Sequence, residues 1–376
     1  MGKFLGTILT MLLIMSCKHD IINNHLGQKD IGRYHIHVVD SMLVDADSIS
    51  GDGNFYINDS ALFFADNVLC TLFQFDINNG KIMGKHFGKG NGMNEVSSMM
   101  YAYPIHPGLD GNSYIMGNSL EMYLFNSMTW KMQKPRVMDF SWNDKNDGYD
   151  DTSMYNLMFM TDFGMNISKV DDSTLMAPVS LLDRKFKKLS TERYEKGHIF
   201  AEIDSKTMKV RKVFGRFPDI YKENPSNLFE FFQYEKSNDT LFVNHSVDSL
   251  IYVYKYPDSL LYTIGYEVSG AVKSYKRGLF KDHAHFKEEA MKTSLNAGLA
   301  YNDGMLVRTT LLNVSTGETV LQLYVRNDLV GECKMPSRFK YLGRIGDFHY
   351  GTSFLPVEKG NRQFLVVYRI KFVQKR

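Results

Sequence analysis

A unit of short apolar-rich strands separated by polar turns recurs along the chain. A first strand is read at Ala61-Leu62-Phe63-Phe64, Ser113-Tyr114-Ile115-Met116, Thr174-Leu175-Met176-Ala177, Thr240-Leu241-Phe242-Val243, Met305-Leu306-Val307-Arg308 and Phe348-His349-Tyr350-Gly351. A second strand follows each, at Leu72–Asp76, Met122–Asn126, His198–Asp204, Leu250–Tyr254, Val320–Val325 and Phe364–Tyr368. Short apolar runs of four to eight residues, rich in aromatic and β-branched side chains and bounded by turn signals, read as strands.

The turns after the second strands repeat as well. Asp76-Ile77-Asn78-Asn79-Gly80-Lys81 aligns with Asn126-Ser127-Met128-Thr129-Trp130-Lys131 and with Asp204-Ser205-Lys206-Thr207-Met208-Lys209. An opening Asp or Asn hydrogen-bonds the backbone further along the turn. The closing lysine puts charge where an outer strand begins, which discourages edge pairing. Tyr256-Pro257-Asp258-Ser259 and Arg326-Asn327-Asp328 are looser copies.

Six such units predict an all-β fold, a six-bladed β-propeller with four-stranded antiparallel blades. Inner strands are expected near residues 54–58, 101–106, 165–171, 231–236, 297–302 and 341–347. The last blade lacks an outer strand, and the alternating segment 33–40 can supply it, joining the two ends of the chain. A pair of β-sandwiches or an open β-helix is the competing reading. The units are spaced more widely than the about 40–45 residues of an ordinary blade, so insertions are expected. One, residues 271–293, places Tyr275, Leu279, Phe286 and Ala290 at roughly helical spacing and predicts a short amphipathic helix. Another, residues 141–151, is rich in Asn, Asp and Gly and reads as a solvated loop.

The N-terminus has a different pattern. Lys3 precedes an apolar stretch from Phe4 to Met15, the length of a signal-peptide core and too short to span a bilayer. It ends in Ile14-Met15-Ser16-Cys17, which resembles the lipobox of bacterial lipoproteins, with Met15 larger than usual. That resemblance implies cleavage before Cys17 and a diacylglycerol on its thiol. An ordinary secretory signal and a buried N-terminal helix are the alternatives. Lys18-His19-Asp20 resembles part of the Lys-then-acidic signal that sends some Bacteroidota lipoproteins to the cell surface, with His19 departing from it. The expected organisation is a lipoprotein signal peptide at 1–16, a flexible tether at 17–32 and one propeller domain at 33–376. The implied address is the outer membrane, facing the periplasm or the cell surface.

Composition changes this picture little. The 376 residues carry 44 Lys+Arg against 42 Asp+Glu, and no basic block stands apart, so nucleic acid is not an expected partner. An aromatic content of 13% suits strands. Beyond Cys17 there are only Cys70 and Cys333. They fall in non-adjacent blades and read as small buried side chains rather than a disulfide.

Between the first two blades stands Gly88-Lys89-Gly90-Asn91-Gly92-Met93-Asn94-Glu95-Val96. It resembles the G-x-G-x-G-P-x-E-[FL] segment of the six-bladed, TolB-like propeller lipoproteins of gut Bacteroidota, with Met93 in place of the proline. The resemblance implies fold and address more than activity, since that family has no agreed one. Physically, the segment reads either as a tight crossover in which Glu95 bonds backbone amides, or as a polar rim of Lys89, Asn91, Asn94 and Glu95 at the channel mouth. His106, closing an inner strand, is a further candidate for lining the channel.

Other chemistry finds no support in the sequence. His283, His285, Glu288 and Glu289 lack the H-E-x-x-H pattern and read as a solvated helix face. His35 and His37 share one face of a strand. No G-x-S-x-G elbow occurs, Asp144–Gly148 lacks the closing Glu of a calcium loop, and Trp130 and Trp142 belong to an aromatic-rich background. No catalytic residue, metal or cofactor is therefore expected. The leading expectation is a lipid-anchored, non-enzymatic propeller that binds an envelope protein or a glycan through its channel mouth or loops. The alternative is an extracellular enzyme acting on saccharides or lactones from a site at the channel mouth.

Overall fold

The structure, a computed structural model, describes residues 25–375 except for 46–47, 59–60, 104–111, 142–147, 159–166, 183–189, 224–228, 273–287, 289–290 and 360–361. Each repeating unit of the sequence becomes one sheet. Blade 1 consists of Gly53–Asn58, Ala61–Asp66, Thr71–Asp76 and Ile82–His86, and blade 2 of Tyr101–Tyr103, Asn112–Met116, Glu121–Asn126 and Arg136–Val137. In blade 3, Ser168–Asp171, Thr174–Leu181, Phe200–Asp204 and Val210–Phe214 pair in order, and Tyr155–Leu157 adds to the far end of the long second strand. Blade 4 is Phe232–Ser237, Thr240–His245, Ile251–Lys255 and Ser259–Ile264. Blade 5 is Leu295–Asn302, Met305–Asn313, Glu318–Val325 and Asp328–Met335. Blade 6 takes Phe339–Ile345, Phe348–Lys359 and Arg362–Gln374 from the C-terminus and Tyr34–Asp45 from the N-terminus as its outer strand. All pairings within the blades are antiparallel, so the fold is a six-bladed β-propeller.

The turns explain why the outer strands return where they do. Asp76 Oδ1 accepts from Asn78 N at 2.8 Å, Asn126 Oδ1 from Met128 N at 3.0 Å, and Asp204 Oδ1 from Lys206 N at 2.9 Å. In the second and third copies, Trp130 and Met208 take positive φ so that their amides reach back to Asn126 O and Asp204 O. The outer strands of blades 1, 3, 4 and 5 each carry a register shift beside this turn. Such bulges twist an exposed edge away from edge-to-edge pairing.

The core is divided among the gaps between blades. Leu62, Phe64 and Phe75 of blade 1 pack with Val44, Tyr350 and Val367 of blade 6. Phe63 and Leu72 meet Ile115 and Phe125 across the next gap. Met116 and Met122 meet Leu175 and Ile203, and Met176 and Phe200 meet Tyr234 and Val243. Val253 and Ile264 face Leu306 and Tyr324, and Val307 and Leu323 face Tyr341 and Ile370. Six clusters therefore link six blades head to tail, and the ring closes. A strand in the middle of a blade is covered on both faces, which is why strand Ala61–Asp66 is buried along its whole length, whereas the outer strand Ile82–His86 is partly exposed.

Two features depart from the sequence expectation. The tether was expected to run to residue 32, but the chain is bonded to the wheel from His25 onward. Leu26 N donates to Thr263 O at 2.8 Å, Asp30 N to Leu329 O at 2.7 Å, and Leu329 N to Gln28 O at 2.8 Å. Two short helices, α1 (Thr191–Lys196) and α2 (Asp219–Glu223), were also not anticipated. Ser190 caps α1 through its hydroxyl, and Arg193 and Tyr194 of α1 bury themselves on Glu230. The helix expected within 271–293 falls almost wholly outside the described residues. Cys70, in blade 1, and Cys333, in blade 5, are both free.

Between blades 3 and 4, His245 is fully buried among rings, T-shaped to Tyr221 at 5.5 Å and to Tyr252 at 5.8 Å. Neither of its ring nitrogens is hydrogen-bonded. Burial pushes its pKa down from 6.5 to about 3. The folded chain holds this ring neutral while an unfolded chain protonates it near pH 6.5. Its contribution to stability is therefore complete above pH 6.5 and is lost as pH falls toward 3, at about 1.4 kcal/mol per pH unit. Burial lowers His349 in the same direction, to about 4. We expect His245→Phe to make stability fall less steeply between pH 6.5 and 4.5, measured by urea titration at stepped pH. An unchanged slope would show that the folded state already accommodates the proton.

Ring closure gives a second prediction. Val44 is fully buried against Leu365 and Val367, whereas Val39 of the same strand is exposed. Val44→Asp should cost about 3–5 kcal/mol by burying an unpaired carboxylate. Val39→Asp should change stability by no more than about 0.5 kcal/mol. Thermal melts of the two variants distinguish them.

Candidate functional site

The glycine-rich segment folds as a crossover from the outer strand of blade 1 toward blade 2. Gly90 N donates to Val96 O at 3.0 Å and Val96 N to Gly88 O at 2.9 Å, which closes a narrow loop. Glu95 folds back over it, and its Oε2 accepts from Gly92 N at 2.8 Å. A Cβ on Gly90 would lie 2.1 Å from that carboxylate oxygen, so this position has to be glycine for Glu95 to sit there. Asn94 Oδ1 accepts from Met132 N at 3.3 Å, beside the outer part of blade 2. Lys89, Asn91, Asn94 and Glu95 are all exposed. Among the described residues, no hydrogen bond from these four side chains reaches an inner strand. The geometry is that of the crossover reading, and it sets the segment apart from the channel-lining strands. Nearby, the His86 and Trp130 rings stack at 3.6 Å across the same pair of blades. His106 and Cys17 lie outside the described residues.

The channel itself is lined by the six inner strands, and those of blades 4 and 6 each carry an ionisable side chain whose protonation burial alters. Lys340, on the first strand of blade 6, donates through Nζ to Asn54 Oδ1 of blade 1 at 3.3 Å. Burial pushes its pKa down to about 8. Glu235, on the inner strand of blade 4, is pushed up to about 8, with burial as the cause. Both side chains keep partial exposure while being closely surrounded by protein. That combination fits groups projecting into a narrow, wet channel. Tyr341 neighbours Lys340 in sequence but points to the other side, where its hydroxyl and His349 Nδ1 lie 2.7 Å apart. Burial raises the Tyr341 pKa, and the charge of Glu235 adds to that rise. At neutral pH the Glu235 carboxyl is largely protonated and can donate as well as accept. Lys340 is a weakly solvated cation that gives up its proton under mildly alkaline conditions. Strong shifts caused by burial mark candidate functional positions.

A second polar cluster occupies a cleft between blades 4 and 5, lined by Ser246, Asp248, Glu267, Ser294, Asn296, Arg308 and Thr310. Its free volume is about 20 Å³, room for a water molecule. Arg308 is fully buried; it donates to Gln322 Oε1 at 2.9 Å, to Ser249 O at 2.7 Å and to Tyr266 O. Gln322 in turn donates through Nε2 to Glu332 Oε2 at 2.7 Å. Asn296 ties the corner of blade 4 with bonds to His245 O and Asp248 O and accepts from Thr310. The arrangement is a polar staple between two blades. Among the described residues no three His, Cys, Asp or Glu side chains are grouped to hold a metal. No helix among them is long and apolar enough to cross a membrane.

Sequence reasoning missed Glu235, Lys340, Asn54 and Arg308. The available signal was a charged or amide residue inside an alternating inner strand, as in Phe232-Gln233-Tyr234-Glu235-Lys236. Nothing in that pattern says which of the polar positions faces the channel.

No protein-family model matches this chain, and no curated protein matches it. Among solved structures, a member of the DUF4221 family from Bacteroides vulgatus is similar, 14% identical with a TM-score of 0.69, over 92% of this chain and 99% of that one. A putative exported protein from Bacteroides fragilis is similar at 11% identity and a TM-score of 0.54, over 94% of this chain and 100% of that one. A PQQ-bound aldose sugar dehydrogenase from Streptomyces coelicolor, at 10% identity and a TM-score of 0.45, covers 91% of this chain and 100% of that one, too distant to bear on chemistry. These likenesses establish the fold.

The crossover yields a test. Glu95→Ala should cost about 0.5–1.5 kcal/mol by releasing the Gly92 amide. Gly90→Ala should cost a similar amount by evicting the same carboxylate. The double variant should be little worse than either alone, a non-additivity that a urea-denaturation cycle reads directly.

Proposed function

We propose that this chain is a lipid-anchored propeller of the bacterial cell envelope that binds a polar ligand or partner through its central channel. The observation that carries the binding reading is Glu235 and Lys340: two ionisable groups held partly desolvated on the inner strands of blades 4 and 6, with one blade between them. The anchoring reading rests on the lipobox-like Ile14–Cys17, with Cys17 carrying the lipid and the outer membrane as the address. The exported protein from Bacteroides fragilis among the similar structures supports an envelope destination. An envelope protein or a glycan is the partner whose hydrogen-bonding groups suit a neutral carboxyl and an ammonium. Gly88–Val96 is assigned to blade packing in this reading.

The second reading, an enzyme acting on saccharides or lactones, is favoured by one feature. A carboxyl with a pKa of about 8 is poised as a general acid at neutral pH. The two readings separate in one experiment. The mature protein, its Glu235→Gln and its Lys340→Ala variants are used to capture partners from envelope extracts and are assayed for turnover on the glycans captured. Binding by the parent and a loss of about tenfold or more in either variant, with unchanged melting temperature, supports the channel as a binding site. Turnover abolished by Glu235→Gln supports the enzyme. Equal capture by all three proteins would remove the channel from the function.

A further inference from the structure

The chain does not leave the propeller at its closing strand. Before Tyr34 it runs as a strap along the outer edges of blades 5 and 4. At Lys29 it bridges in parallel to Leu329, and at His25 to Thr263. Tyr266 donates its hydroxyl to Gly27 O at 2.8 Å, its ring meets His25 edge-on at 5.2 Å, and Gln28 N donates to Asp328 Oδ1 at 2.8 Å. Gly27 takes φ +94°, and a Cβ there would lie 2.1 Å from Asn327 O, so the strap is seated against backbone. Thr263 is the penultimate residue of its strand, and the chain continues through Tyr266 to Glu267 and Val268, which line the cleft between blades 4 and 5. His25 is thus fixed at the rim of these two blades, at the end where the cleft opens.

We propose that the strap fixes which part of the wheel meets the lipid surface: the rim of blades 4 and 5 lies against the membrane, and the rim of blades 1 and 2 points away from it. The inference rests on the reading of Cys17 as the lipidated residue. Only eight residue steps separate Cys17 from His25, a reach of about 28 Å when fully extended. Had the chain been free to residue 32, the reach would have roughly doubled, to about 50 Å, and any rim could have faced the bilayer. In a six-membered ring the gap between blades 4 and 5 is diametrically opposite that between blades 1 and 2. Leu26, Ile31 and Leu261 are exposed along the strap and the adjoining outer strand, apolar groups that an interfacial lipid layer would cover. Leu261 is the residue bulged out of the outer strand of blade 4, exposed two positions before Thr263.

The test uses the full chain extracted from membranes and reconstituted in phosphatidylethanolamine/phosphatidylglycerol vesicles bearing an energy-transfer acceptor on the lipid. A donor dye is placed at Leu261→Cys in blade 4 or at Met83→Cys in blade 1, both exposed positions, in a Cys333→Ser background. Transfer at least about twofold stronger from position 261 than from 83 is expected from the short reach. Inserting a flexible spacer of about 20 residues between Asp20 and Ile21 should erase the difference. Gly27→Val, which unseats the strap, should reduce it. Equal transfer from both positions in a membrane-bound, acylated protein would overturn the orientation while leaving the anchor intact. A chain that carries no acyl group on Cys17 and stays off the vesicles would instead overturn the anchoring reading, and this inference with it.

Discussion

Eleven residue pairs join Tyr34–Asp45 to the C-terminal strand Arg362–Gln374, and the propeller depends on that seam. A ring of blades has no interior until it closes, because each apolar cluster is shared by two neighbours. Leaving the N-terminal strand unpaired would expose Val44, Leu365 and Val367, open the gap between blades 6 and 1, and leave a long edge free to pair with another chain. The seam is reinforced on its solvent side, where Arg369 Nε donates to Asp40 Oδ1 at 2.6 Å. An exposed pair of this kind adds register more than stability. The two ends of the chain are thus fixed to each other, and the N-terminal strap inherits a defined course over blades 5 and 4.

Closure also sets the electrostatic character of the molecule. Packing blades face to face leaves little room for water, so polar residues in the gaps are either fully bonded or kept neutral. Arg308 and the Arg193–Glu230–Tyr194 group take the first course, with each charge held by several acceptors or donors. His245 takes the second, as an unbonded neutral ring among aromatics. The channel is the exception. There Glu235 and Lys340 are partly desolvated without being sealed in, and their protonation is drawn toward neutral pH from opposite directions. A group in that position responds to whatever enters the channel, since a ligand changes both its solvation and its charge.

The insertions carry the remaining individuality of the chain. In the inter-blade crossover at Gly88–Val96 the glycines admit a carboxylate and a close backbone return, and the polar side chains are exposed.

By itself the sequence determined the number of blades, the identity of most strands and the turn chemistry, because each of these is local: a short apolar-rich run, an Asx-opened turn and a polar break lie within a few residues of one another. It also pointed to the closing strand, since one blade lacked an outer partner and one alternating segment lacked a sheet. It misplaced the end of the tether, because His25–Arg33 has no strand pattern and is held by carbonyls and amides of blades distant in sequence. It passed over α1 and α2, whose few residues gain their stability from burying Arg193 and Tyr194 in α1 and Tyr221 in α2 rather than from helical periodicity. The channel groups were beyond its reach for a related reason. Whether Glu235 or Lys236 meets the channel, and how far burial moves a pKa, depends on blade twist and on neighbours hundreds of residues away, which only the closed ring brings into contact.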